Sequence, residues 1–181
     1  MQAANALFER LLDYEQRSHE HQAQAEQADQ GETFDGVVFR VADFRLTCPI
    51  EQVNEILGVP ATTPIPGAKP WLLGLANLRG NLAPLIDLGR YLMNSRIPVT
   101  GRTRVLVMLL QNRPIALLVD EVYGQRHFPE SEEAPPDSFD GAAIERYIER
   151  QFSLAGETWG EFRFAGLMAE SNFLVGAAEH A

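Results

Sequence analysis

Two apolar runs, Leu72–Leu78 and Leu82–Leu88, stand on either side of Arg79-Gly80-Asn81 in this chain of 181 residues. Two short apolar runs around a glycine-bearing turn read as a β-hairpin, with Gly80 free to take the positive φ that such a turn demands. The tip of this hairpin therefore carries a fixed positive charge on an otherwise apolar element. An arginine cannot shed that charge by deprotonation, and its guanidinium offers a planar fork of donors that matches a carboxylate. An acidic group from outside the hairpin is expected to meet it.

The same period runs through the rest of the chain after Gly36. Val37–Val41 and Phe44–Ile50 are β-rich runs separated by Ala42-Asp43, and read as a first hairpin. Val53–Leu57 reads as a short strand or a single turn. A connector rich in Pro, Gly and Thr then leads from Gly58 to the hairpin at Leu72–Leu88. A third hairpin joins Arg104–Leu110 to Pro114–Asp120 across Gln111-Asn112, and the chain continues through Val122-Tyr123-Gly124 to Phe128. Residues 129–140, with Pro135-Pro136 and many acids, read as a loop. Ile144, Tyr147, Ile148 and Phe152 recur at helical spacing and predict a short helix over 144–152. Phe162–Val175 is apolar but irregular. Many short strands with little helix between them specify an all-β fold. Val105–Leu110 and Ile115–Val119 are apolar on both faces, so both faces of their sheet must be covered. Small closed barrels packed together achieve this and also remove exposed strand edges.

Residues 1–32 differ. Leu7, Leu11 and Tyr14, with Phe8 and Leu12 beside them, have helical spacing, and residues 15–30 are nearly all polar helix formers ending at Gly31. A helix over 5–30 is expected, able to dock only through Leu7, Phe8, Leu11 and Leu12, either on its own body or in a groove of a partner. A helix with so short an apolar patch is marginal alone.

Charge is distributed as unevenly as period. The net charge of −10 divides into −5 over residues 1–32, +3 over 33–128, −7 over 129–161 and −1 over the remainder. The acidity belongs to the flanks, and the mildly basic body suits steering towards an acidic protein surface better than binding nucleic acid. No apolar run approaches the roughly 20 residues that span a membrane. The N-terminus lacks a signal pattern, so a cytoplasmic location is expected. Cys48 is the single cysteine, which excludes an internal disulfide and a multi-cysteine zinc site. It sits in an apolar run and reads as a small buried hydrophobe.

Signatures of catalysis are missing. His19 and His21 lie about 200° apart around a helix and cannot grip one metal as an i, i+4 pair would. There is no Gly-x-Ser-x-Gly elbow, phosphate-binding glycine loop or dinucleotide fingerprint. Asp120 ends an apolar strand as a phospho-acceptor does, but no acidic pair precedes it and no alternation of strand and helix surrounds it. Asp87 is better explained as a side chain closing a turn onto backbone. No metal, cofactor or enzymatic activity is expected.

Binding remains, and here the order of blocks is informative. Paired opening strands are followed by Val53-x-Glu55-Ile56, Trp71–Gly74, Asn77-Leu78-Arg79-Gly80, Pro84–Leu88 and Leu118-Val119-Asp120-Glu121-Val122. In this order and spacing the segment from Phe34 to about Phe128 resembles the CheW family of chemotaxis adaptors. The Trp71 block, Val119–Gly124 with His127-Phe128-Pro129, and the leading helix are similar in detail to the CheW-like member that serves the type IV pilus (twitching) system. The likeness departs at Phe164–Phe173, irregular where the family has a regular closing strand and a short leucine-rich helix.

The resemblance implies two small SH3-like five-stranded barrels packed together over residues 33–178, behind a helical extension of residues 1–32. It implies a non-enzymatic adaptor that couples a methyl-accepting chemoreceptor to the regulatory domain of a CheA-type histidine kinase, recruited to membrane-associated arrays without inserting into the membrane. By motif position it implies Val53, Glu55, Gly74 and Arg79 as the coupling residues. The residues themselves leave room for an internal Arg79–Glu55 pair and for Gly74 serving strand packing alone. A signalling regulator with a ligand pocket between the barrels is the alternative of a different class.

Overall fold

A computed structural model describes residues 33–139, 141–170 and 173. The expected helix over 5–30, with Leu7, Phe8, Leu11 and Leu12, lies outside the described residues.

The hairpins form where turn chemistry places them. Strand β1 (Thr33–Val41) pairs with β2 (Phe44–Pro49) across Ala42-Asp43. Strands β5 (Leu72–Leu78) and β6 (Asn81–Asp87) join through Arg79 and Gly80, whose φ angles are 52° and 90°. Strands β7 (Arg104–Leu110) and β8 (Arg113–Val119) join through Gln111 and Asn112, at 49° and 64°. Positive φ at both central residues of a two-residue loop matches the right-handed twist of the flanking strands. The remaining strands are β3 (Glu55–Leu57), β4 (Thr62–Thr63), β9 (Glu121–Pro129), β10 (Glu133–Ala134), β11 (Ile148–Leu154) and β12 (Glu157–Phe162). Two short helices, α1 (Leu88–Met93) and α2 (Phe164–Met168), follow β6 and β12.

The strands make two six-stranded sheets, ordered β10-β11-β12-β2-β1-β9 and β3-β7-β8-β6-β5-β4. Each therefore has five strands of three residues or more and one of two residues, which is the mostly-β, two-sheet fold expected. In each sheet one parallel pair, β12 with β2 and β6 with β8, joins segments distant in sequence. The first sheet curls strongly: Phe128 on the edge strand β9 comes within 5.0 Å, ring centre to ring centre, of Phe152 on β11. Inside the curl lie Val38, Phe128, Phe152 and Trp159, all buried. Alternate residues of the same strands, Val37, Phe39, Val41, Leu46 and Cys48, face the other way into a larger core shared with Leu106, Leu117 and Ile86 of the second sheet. Period-2 alternation thus serves two cores, one inside the first sheet and one between the sheets.

Three expectations need correction. Residues 144–152 are not a helix. Glu145–Tyr147 form one 3-10 turn and Ile148 begins β11. The spacing misleads because it splices a turn onto a strand with a bulge between Ile148 and Gln151. That extra residue sends Ile148 into the shared core and Phe152 into the smaller one. Of the segment expected to be loop over 129–140, the described residues 129–139 hold short 3-10 turns and β10 rather than loop alone. The closing strand is also present. It is β12, between β11 and β2, and the irregular segment after it opens with α2.

Candidate functional site

The sheet order puts β3 at one edge of the second sheet and the β5–β6 hairpin near the other. Curling brings them together, and the Arg79 guanidinium donates to the Glu55 carboxylate across the gap. Two residues singled out from sequence are therefore partners of each other. Arg79 is 80% exposed and Glu55 23% exposed. A pair this solvated contributes roughly 0–1 kcal/mol, so the surrounding fold does not depend on it and the guanidinium keeps most of its donors for another carboxylate.

Asn77 aims the arginine. Its side-chain oxygen accepts from the Gly80 backbone N–H at 2.7 Å, closing the turn in which Arg79 is held at positive φ. Sequence reasoning read Asn77 only as part of a block. The signal was available, since asparagine side chains beside a turn readily accept from nearby backbone N–H groups.

Gly74 is placed by packing. It has φ +141° at a register shift between β5 and β6, and a Cβ added to it would lie 2.2 Å from the Thr63 carbonyl oxygen on β4. Only a glycine lets β4 lie that close to β5. Its role in the structure is therefore to seat β4, beside the hairpin that ends in Arg79. Val53 is half-buried against the shared core, and the Asn54 N–H that follows donates to Val107 at 2.8 Å, fixing the start of β3.

The strands that carry the Arg79–Glu55 pair, and their sheet neighbour β7, also carry exposed aliphatic side chains. Leu82 beside the turn is 62% exposed, Leu109 at the end of β7 47%, and Ile56 next to Glu55 41%. By register Leu82 and Leu109 lie towards the turn end of the sheet that carries Arg79, where exposed apolar side chains beside a charge suit a protein-binding surface.

The other candidates have structural roles. Asp87 caps α1, accepting from the Arg90 N–H at 2.9 Å and from the Ile97 N–H at 3.1 Å. Burial pushes its carboxyl pKa up, against the two backbone donors. Asp120 accepts from the Ala42 N–H at 2.7 Å and so ties the end of β8 to the β1–β2 turn. Its other oxygen lies 3.9 Å from the Arg40 guanidinium, so the carboxylate has a structural role at this corner. Cys48 is fully buried, and burial pushes its thiol up to about 12. A cavity of about 420 Å³ beside Arg126, His127, Leu154 and Trp159 opens on the first sheet, not between the two sheets, and so lends nothing to a ligand pocket between barrels. No helix among the described residues is long and apolar enough to cross a membrane.

Comparison with known proteins settles the family. Residues 35–170 match the CheW-like domain. Over 171 residues the chain is 33% identical to protein PilI of Pseudomonas aeruginosa, covering 92% of this chain and 94% of that one. The chain belongs to the CheW-like family. It is also 33% identical over 110 residues to protein FrzA of Myxococcus xanthus, covering 61% of this chain and 69% of FrzA. The fold agrees with the crystal structure of the scaffolding protein TtCheW from Thermoanaerobacter tengcongensis, with a TM-score of 0.67 at 20% identity over 78% of this chain and 96% of that one. CheW-like proteins are chemosensory scaffolds rather than enzymes, and in general they couple receptors to CheA-type kinases.

Proposed function

We propose that this CheW-like chain couples a methyl-accepting chemoreceptor to a CheA-type histidine kinase in a chemosensory system of the type IV pilus. Its likeness along nearly its whole length to PilI supports the pilus setting. The observation that carries the coupling role is the turn end of the second sheet, where the exposed Arg79 pairs with Glu55 and Leu82 and Leu109 are exposed on the neighbouring strand ends. Apolar side chains supply contact area there, and the guanidinium supplies orientation by pairing with a carboxylate of the partner. Val53 and Gly74 serve the same surface from below, by fixing β3 and β4. In this reading residues 33–178 form the coupling domain, residues 1–32 are an extension appended to it, and the protein works in the cytoplasm at receptor arrays.

The test is a pull-down with the full chain as bait, using a soluble fragment of the receptor's cytoplasmic tip and the isolated kinase regulatory domain. Retention of both fragments together, lost in Arg79→Glu for at least one of them, supports the reading. Failure to retain either fragment contradicts it.

A further inference from the structure

The segment after α2 makes contacts that the coupling surface does not use, and they converge on one carboxylate. Glu170 accepts from the Tyr91 hydroxyl at 2.7 Å and from the Tyr147 hydroxyl at 2.6 Å, with the Arg146 guanidinium 3.3 Å away. Three residues on, the fully buried ring of Phe173 stacks on Trp71 at 6.1 Å and meets Tyr91 edge-on at 5.3 Å. The anchors belong to different halves of the molecule. Tyr147 precedes β11 of the first sheet, whereas Tyr91 lies on α1, directly after β6 of the second. Trp71 directly precedes β5, and its carbonyl accepts from the Asp87 N–H at 2.8 Å. Trp71 and Tyr91 are thus the two flanks of the base of the β5–β6 hairpin. The family match ends at Glu170 itself, so Phe173 lies beyond it.

We propose that Glu170 is a positioning residue for the β5–β6 hairpin. Its carboxylate and the Phe173 ring pin the hairpin base to the first-sheet half, so that the tip bearing Arg79 is presented at one angle. The proposal rests on the reading of Arg79 as a coupling residue. Tyr91 and Arg79 are at opposite ends of β6, about 20 Å apart for seven residues of strand. Substitutions at sites so separated, with no shared partner, ordinarily have additive effects. Positioning predicts otherwise: once Arg79 is gone, loosening the base has nothing left to misplace.

The experiment measures binding of a soluble chemoreceptor tip fragment by calorimetry to the full chain and to Tyr91→Phe, Tyr147→Phe, Arg79→Ala and the Tyr91→Phe/Arg79→Ala pair. Each tyrosine change cuts one arm of the clamp while keeping the ring. Each is expected to weaken binding about three- to tenfold, the loss of one hydrogen bond's worth of order. The double variant is expected to bind no more weakly than Arg79→Ala. Amide exchange across β5–β6 should rise in both tyrosine variants and stay unchanged in Arg79→Ala. Wild-type affinity in a tyrosine variant, a loss with Tyr91→Phe alone, or additive losses in the double variant would each overturn the positioning role. Wild-type affinity in Arg79→Ala would instead overturn the reading beneath it, and the proposal with it.

Discussion

Replacing Arg79 by glutamate separates the fold from its function. The backbone cost of φ 52° is the same for both residue types, since neither is β-branched. What the fold loses is a surface pair in which the arginine is 80% exposed, and it gains a carboxylate facing Glu55. Together these are worth about 1 kcal/mol, or a fall in Tm of about 2–4 °C for a domain of this size. Binding is affected far more if the guanidinium meets a carboxylate on a partner. Reversing its sign then costs about 2–5 kcal/mol, an affinity loss of roughly thirty- to several thousandfold. Calorimetry with the receptor fragment reads the second quantity and differential scanning calorimetry the first. The swap Glu55→Arg/Arg79→Glu sharpens the test, because it restores an internal pair. It is expected to regain the melting temperature without regaining affinity. A swapped protein that binds like wild type would refute the reasoning, since the sign of the charge at the tip would then be irrelevant.

Three further outcomes follow from the site. Gly74→Val is expected to cost about 2–5 kcal/mol in chemical denaturation, because a β-branched residue is strained at φ +141° and its side chain must push β4 away. Asn77→Ala should lose about 1 kcal/mol of stability and part of the receptor affinity, and Asn77→Asp should restore both by keeping an acceptor for the Gly80 N–H. Partial burial alone would raise the Glu170 pKa, but donation from Tyr147 and Tyr91 and the nearby Arg146 bring it below its ordinary 4.5. A carboxyl lowered in the folded state stabilises above its unfolded pKa and loses that contribution as pH falls through the folded one. Denaturation curves should therefore show wild type losing its advantage over Glu170→Gln as pH drops below about 4.5, and an equal difference at pH 7 and pH 3 would contradict the assignment.

The hairpins were legible in the sequence because each rests on local chemistry: apolar runs with a turn that accepts positive φ at Arg79-Gly80 and Gln111-Asn112. The reading failed where a local pattern had two solutions. At 144–152 a 3-10 turn and a bulged strand together imitate helical spacing. Residues 157–162 drew no strand expectation, and Gly160 within β12 is explained only by the Phe139 ring, which lies where its Cβ would be, at 2.6 Å. The parallel pairs and the curl of each sheet had no local signature at all. For the same reason Arg79 and Glu55 were each visible as charges beside apolar runs, while only the structure shows that curling makes them partners. The Glu170 clamp was beyond reach, because its tyrosines stand 79 and 23 residues away in the chain.

Coupling is read out by reconstitution. CheA-type kinase autophosphorylation is measured with receptor-bearing membranes, with and without the full chain. Receptor control of the kinase is expected to require the protein and to be lost with Arg79→Glu although that variant folds. Receptor control that is equally strong without the protein, or that survives Arg79→Glu unchanged, would contradict the coupling role.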